Sequence, residues 1–105
     1  MYKLTLTFMR PVDASAFEAG WSREFVPQAE KMPGIRKVIV SRVVEQLSGA
    51  ADLYLVHEFL FEDLAAARQA MSSVQGQAAG RALMSLAGGN VAISFAEHLE
   101  EERHA

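Results

Sequence analysis

Ile35 to Phe61 reads IRKVIVSRVVEQLSGAADLYLVHEFLF. Its first half is rich in β-branched residues (Ile35, Val38, Ile39, Val40, Val43, Val44), which predicts a long strand from Ile35 to Leu47. Ser48 to Asp52 predicts a turn. Leu53 to Phe61 is apolar on both faces apart from His57 and Glu58 and predicts a second strand. So short a separation suits an antiparallel hairpin.

The flanking segments fix what surrounds that hairpin. Tyr2 to Met9 alternates, with Tyr2, Leu4, Leu6 and Phe8 on one side and Lys3, Thr5 and Thr7 on the other, the pattern of a half-buried strand. Asp13 is placed to cap a helix on which Phe17, Trp21 and Phe25 share one face. Pro27 removes a backbone donor and predicts a kink or a shifted last turn, and Pro33-Gly34 stops the helix. Asp63 caps a second helix over Leu64 to Met71. Ser73 caps a third over Val74 to Leu86, in which Gly76 and Gly80 permit close packing, and Gly88-Gly89 ends it. Val91 to Phe95 alternates as a final strand, and Glu97 to Ala105 is a polar tail expected to fray.

The order β-α-β-β-α-α-β predicts an α+β fold, a ferredoxin-like sandwich with a four-stranded antiparallel sheet and helices on one face, as a single domain over residues 1–105. Half of the 105 residues are hydrophobic. Helices cover only one sheet face. The other carries a mixture such as Val38, Val40, Tyr54, Val56 and Leu60, or the opposite set, the register being open at this point. Either set is too apolar to stay wet, so a homodimer through the sheet face is expected.

Composition excludes several functions. A net charge of −3 with dispersed basic residues argues against nucleic-acid binding. The absence of cysteine excludes a disulfide scaffold, a thiolate metal site and a cysteine nucleophile. The N-terminus does not read as a signal peptide and no stretch is long enough to span a membrane, so a cytoplasmic protein is expected. No phosphate-binding glycine loop and no nucleophile elbow occur, so no cofactor is expected. Neither is a metal, because no second histidine or acid lies at ligand spacing from His57, and His98 and His104 fall in the tail.

The remaining candidates are few. His57 is a titratable imidazole inside a strand, suited to proton transfer, or to ligating a haem iron in a third reading, against the ordinary role of a hydrogen-bonded core histidine. Glu58 points to the opposite face and is either a base of raised pKa or the partner of Arg36, Arg42 or Lys3 in a salt bridge. Phe17, Trp21, Phe25 and Tyr54 are candidates to shape a pocket for a small apolar or aromatic organic molecule, or else core.

Taken together, MYKLTLTFMRP at the start, Phe17-x-x-x-Trp21, Pro27-x-Ala29, KMPGI at Lys31 to Ile35, SRVV at Ser41 to Val44, YLV-x-EF-x-F at Tyr54 to Phe61, S-x-x-GQAA at Ser73 to Ala79 and Gly88-Gly89 resemble the EthD family, named for ethyl tert-butyl ether degradation. The resemblance covers Met1 to about Phe95. It implies a dimeric α+β barrel and an oxidoreductase or monooxygenase-type step, or a proton transfer such as dehydration or isomerisation. The alternative is a non-catalytic, dimeric ligand-binding or accessory protein of a catabolic or polyketide pathway. The family often carries a histidine four residues after the tryptophan. This chain has Phe25 there, so acid–base chemistry from that position is lost.

Overall fold

The computed structural model describes residues 1–103. Four strands, β1 (Tyr2–Met9), β2 (Lys37–Arg42), β3 (Leu53–Phe61) and β4 (Val91–Glu97), form one antiparallel sheet in the order β2-β3-β1-β4. This is the ferredoxin-like arrangement predicted from the element order. β1 and β3 are central because each buries one whole face: Leu4, Leu6 and Phe8 on β1 and Leu55, His57, Phe59 and Phe61 on β3 lie under the helices.

The first helical run comprises α1 (Ala14–Gly20), a π-helical segment (Trp21–Phe25) and α2 (Val26–Ala29). Asp13 caps it as expected, its Oδ1 accepting from the Ala16 N–H at 3.1 Å. The π-turn is the local answer to Pro27. A proline ring crowds the carbonyl four residues earlier, here that of Arg23. The helix widens instead of breaking, and the Val26 N–H donates to the Trp21 carbonyl. Phe17, Trp21 and Phe25 all remain buried.

α3 (Leu64–Ser72) and α4 (Val74–Ala87) meet at a tight corner. Asp63 caps α3 through the Ala66 N–H at 2.8 Å. Ser73 accepts from the Gly76 N–H at 3.0 Å and donates to the Ala70 carbonyl at 2.6 Å. Only Gly76 has the packing role expected of both helix glycines. A Cβ on Gly80 would meet nothing within 4 Å. Gly88, at φ 54°, closes α4 with its N–H donating to the Met84 carbonyl.

β2 is shorter than its composition suggests. It ends at Arg42 rather than Leu47, although the Val43 N–H still donates to the Tyr54 carbonyl at 2.9 Å. Beyond it the Gln46 side chain replaces strand pairing: its Nε2 donates to the Ala51 carbonyl at 2.7 Å and its Oε1 accepts from the Leu53 N–H at 3.0 Å. Val44 and Leu47 consequently stand in solvent.

The register settles which side chains share each sheet face. Val38 and Val40 lie opposite Phe59 and His57 and face the helices. The uncovered face carries Ile39 and Val56 around Lys3, Thr5, Thr7 and Glu58, with Leu60 on the same side but itself buried. Tyr54 also leaves the uncovered face. Phe8 pairs with Leu55 and Met9 with Leu53, so Tyr54 is the extra residue of a β-bulge, and its ring turns onto Phe17 of α1. The start of the tail is held rather than frayed, with the His98 N–H donating to the Met1 carbonyl at 2.9 Å. His104 lies outside the described residues.

Candidate functional site

The helix–sheet interface brings His57 of β3 under the π-turn. Trp21 meets the imidazole edge-on with ring centroids 5.4 Å apart, Phe25 likewise at 5.8 Å, and Phe59 stacks on it at 4.4 Å. His57 is 1% exposed, and neither ring nitrogen has a hydrogen-bond partner among the described residues. The indole Nε1 of Trp21 has none either. Burial without a polar partner disfavours the imidazolium and lowers the His57 pKa from 6.5 to about 4, so the ring is neutral at physiological pH. The side chain is therefore buried as a core histidine would be, without the hydrogen bonds that ordinarily accompany one.

Next to this nest lies an apolar cavity of about 80 Å³, bounded by Leu4, Leu6, Phe25, Met32, Phe59, Leu83 and Ile93 and reaching Met71, Gly76, Ala79 and Gly80 of α3 and α4. His57 does not line it. Phe25 and Phe59 stand between the imidazole and the cavity, packing on the former and walling the latter. A haem ligated by His57 does not fit this arrangement, since its ring would have to displace Trp21, Phe25 and Phe59.

On its outer side Trp21 is covered by charge. The Arg42 guanidinium lies 5.4 Å from the Trp21 ring centroid and donates twice to Glu18, at 2.9 and 3.4 Å. The hydrogen bond and charge of Glu18 raise the Arg42 pKa. The Tyr54 hydroxyl reaches the same carboxylate at 3.5 Å, and its ring completes an edge-to-face chain with Phe17 and Phe8. Of the four aromatic pocket candidates, Trp21 and Phe25 thus surround His57, and Phe17 and Tyr54 form a neighbouring cluster under Arg10 and Arg42. From sequence Arg42 is one of the dispersed basic residues and a candidate partner of Glu58. Its alternation with Val38 and Val40, which puts all three on one strand face, was the signal that could have placed it here.

Glu58 is not part of this site. It lies on the uncovered face and pairs with Lys3, one of the three salt-bridge partners considered from sequence. His57 and Glu58 therefore cannot act on one substrate atom from one cavity. No group of three or more potential metal ligands occurs among the described residues.

No protein-family model matches the chain. An uncharacterized 11.0 kDa protein of Rhodococcus erythropolis, from the thcB-thcC intergenic region, is 27% identical over 97 residues, covering 92% of this chain and 94% of that protein. SnoaB from Streptomyces nogalater, a cofactor-independent oxygenase, shares the fold with a TM-score of 0.69 at 16% identity, over 95% of this chain and 94% of that one. The crystal structure of an EthD-family protein from Bacillus halodurans agrees more closely, with a TM-score of 0.88 at 30% identity over 94% of this chain and 99% of that one. Identity at that level along almost the whole length, on the same strand order and helix placement, makes this chain a member of the EthD, or ethyl tert-butyl ether degradation, family.

Proposed function

We propose that the protein is a small homodimeric, oxygenase-like oxidoreductase that takes a small apolar or aromatic organic compound between its helices and its sheet. The observation that carries this reading is the neutral imidazole of His57, which has no hydrogen-bond partner among the described residues and is separated from an apolar cavity only by Phe25 and Phe59. A neutral imidazole both accepts and donates a proton. Its low pKa makes it a weak base while the site is empty of charge. A substrate anion formed beside it would offset the cost of the buried imidazolium, so proton transfer and ion pairing proceed together. Loss of that proton leaves an aromatic substrate electron-rich, so that it reduces dioxygen as co-substrate: one oxygen atom enters the ring to give a quinone and the other leaves as water. Glu58, ion-paired on the other face, is left outside this chemistry.

The test is incubation of the purified protein with a panel of hydroxyarenes under ¹⁸O₂, read by mass spectrometry. Labelled product is expected with the wild type and not with His57→Leu. Binding without label for every compound would favour the second reading, a non-catalytic ligand-binding or accessory protein. That reading draws on Phe25 occupying the family's histidine position and on Glu58 being engaged by Lys3.

Dimerisation is argued from the uncovered face. Ile39 and Val56, both half-buried, form an apolar surface beside the Lys3–Glu58 pair, and small residues (Thr5, Thr7, Ala92, Ser94) keep the face flat enough for a second sheet. Val56→Asp would bury an unpaired carboxylate in that interface at a cost of several kcal/mol. Sedimentation equilibrium at micromolar concentration is expected to give a dimer for the wild type and a monomer for the variant. A monomeric wild type would refute it.

A further inference from the structure

Three polar nitrogens are buried around one point of the helix–sheet interface with no protein partner among the described residues: Nδ1 and Nε2 of His57 and Nε1 of Trp21. Each such group costs stability, so a cluster of them calls for a reason. The adjacent cavity has the opposite character, being lined by aliphatic, sulfur-bearing and aromatic side chains. At about 80 Å³ it is also too small for an aromatic ring, since an apolar cavity that takes benzene measures roughly 150 Å³. Phe25 and Phe59 divide the two regions. Phe59 is fixed in the central strand β3, whereas Phe25 ends the π-turn, where the helix is already widened and its hydrogen bonds rearranged. Displacing Phe25 enlarges the cavity and, in the same movement, opens it toward the His57 imidazole, against which Trp21 packs.

We propose that Phe25 is the gate of this site and that its ligand is a single-ring hydroxyarene. The ring fills the apolar cavity, and the hydroxyl oxygen accepts from the Trp21 Nε1–H and bonds to His57. One fixed donor beside one imidazole, which offers a donor and an acceptor, matches a hydroxyl group and leaves a plain hydrocarbon without polar recognition. This inference rests on the proposed use of the helix–sheet cavity and assigns its ligand class and its specificity-determining residues.

Phenol and toluene serve as probes, since they share a ring and differ in the oxygen. Trp21 is the only tryptophan in the chain, so its indole N–H gives one assignable NMR signal. Phenol is expected to move that signal downfield as the N–H gains an acceptor, and toluene to bind without doing so. The phenol-to-toluene affinity ratio is expected to fall about tenfold in His57→Leu and in Trp21→Phe, two variants that keep the apolar packing. Phe25→Leu should tighten both ligands without changing the ratio. Toluene binding with an unmoved indole signal and the same ratio in all proteins would overturn the polar recognition while leaving the cavity reading intact. Unchanged affinities in Phe25→Leu would overturn the gate. Failure of both probes to bind the wild type would overturn this inference and the cavity reading together.

Discussion

Gly76→Ala is expected to lower the melting temperature by roughly 15 °C, corresponding to a loss of about 3 kcal/mol in a domain of about 100 residues. A Cβ at this position would overlap the backbone carbonyl oxygens of Ala70 and Met71. Both are backbone atoms at the end of α3, and neither can swing aside as a side chain would. The corner is also locked by Ser73, which bonds forward to Gly76 and back to Ala70. Relief would require prising α4 away from α3 and giving up both bonds. Gly80→Ala provides the contrast within the same helix. Its Cβ would point into open space, so only the backbone-entropy gain remains, about 0.5–1 kcal/mol of added stability. Thermal unfolding followed by circular dichroism distinguishes the two. Equal melting temperatures would refute the packing argument.

The second large effect is on acid stability. His57 has a folded-state pKa of about 4 against 6.5 when unfolded, and its cause is burial. As pH falls through 6.5 the unfolded chain takes up a proton that the folded chain refuses until about pH 4. Stability is therefore flat above pH 6.5, declines between 6.5 and 4, and levels off below, a total of about 3 kcal/mol from this group. The rings packed on the imidazole are Trp21, Phe25 and Phe59 and its strand partners are Leu6 and Val40, none of them charged; the Arg42 guanidinium lies against the Trp21 ring. In His57→Leu this slope disappears. Stability at pH 7 is expected to rise by about 1–2 kcal/mol, because two unpartnered buried nitrogens are removed. Urea unfolding of both proteins at pH 7 and pH 4.5 isolates the effect, since the carboxylates titrate alike in each. Parallel pH dependence would show that His57 is not the buried neutral group described here.

Those two residues also mark where sequence reading succeeds and where it stops. Strands β1 and β3 have the predicted bounds because alternation and apolar content register burial directly. The caps at Asp13, Asp63 and Ser73 follow from chemistry local to a few residues. Val43 and Val44 extended the predicted β2 because β-branching does not reveal that Gln46 will bond across its own loop. Period-two counting groups Tyr54 with Val56 and Leu60, but a bulge inserts one residue at that point and its ring turns onto Phe17, the side on which it was a pocket candidate. The candidate site was legible in part. The shared face of Trp21 and Phe25 was predicted, and so was the separation of His57 from Glu58. That His57 would sit against those two rings depends on how a helix lies across a sheet, a tertiary fact with no sequence period of its own. The missing partners of its nitrogens are likewise visible only once every neighbour is placed.

The edge formed by β4 has a consequence for solubility. β4 pairs with β1 alone, so one row of its backbone donors and acceptors faces outward. Val91 to Ala96 carries no charge, and Ile93 and Phe95 are 46% and 38% exposed. Such a segment is a template for cross-β growth. Glu97 ends the strand and Glu100, Glu101 and Glu102 follow, offset only in part by Lys37 and Arg103, so the excess of negative charge acts as a gatekeeper against edge-to-edge stacking. Because that repulsion is electrostatic and exposed, the colloidal stability of the protein should weaken as ionic strength rises, while its folding stability is little affected.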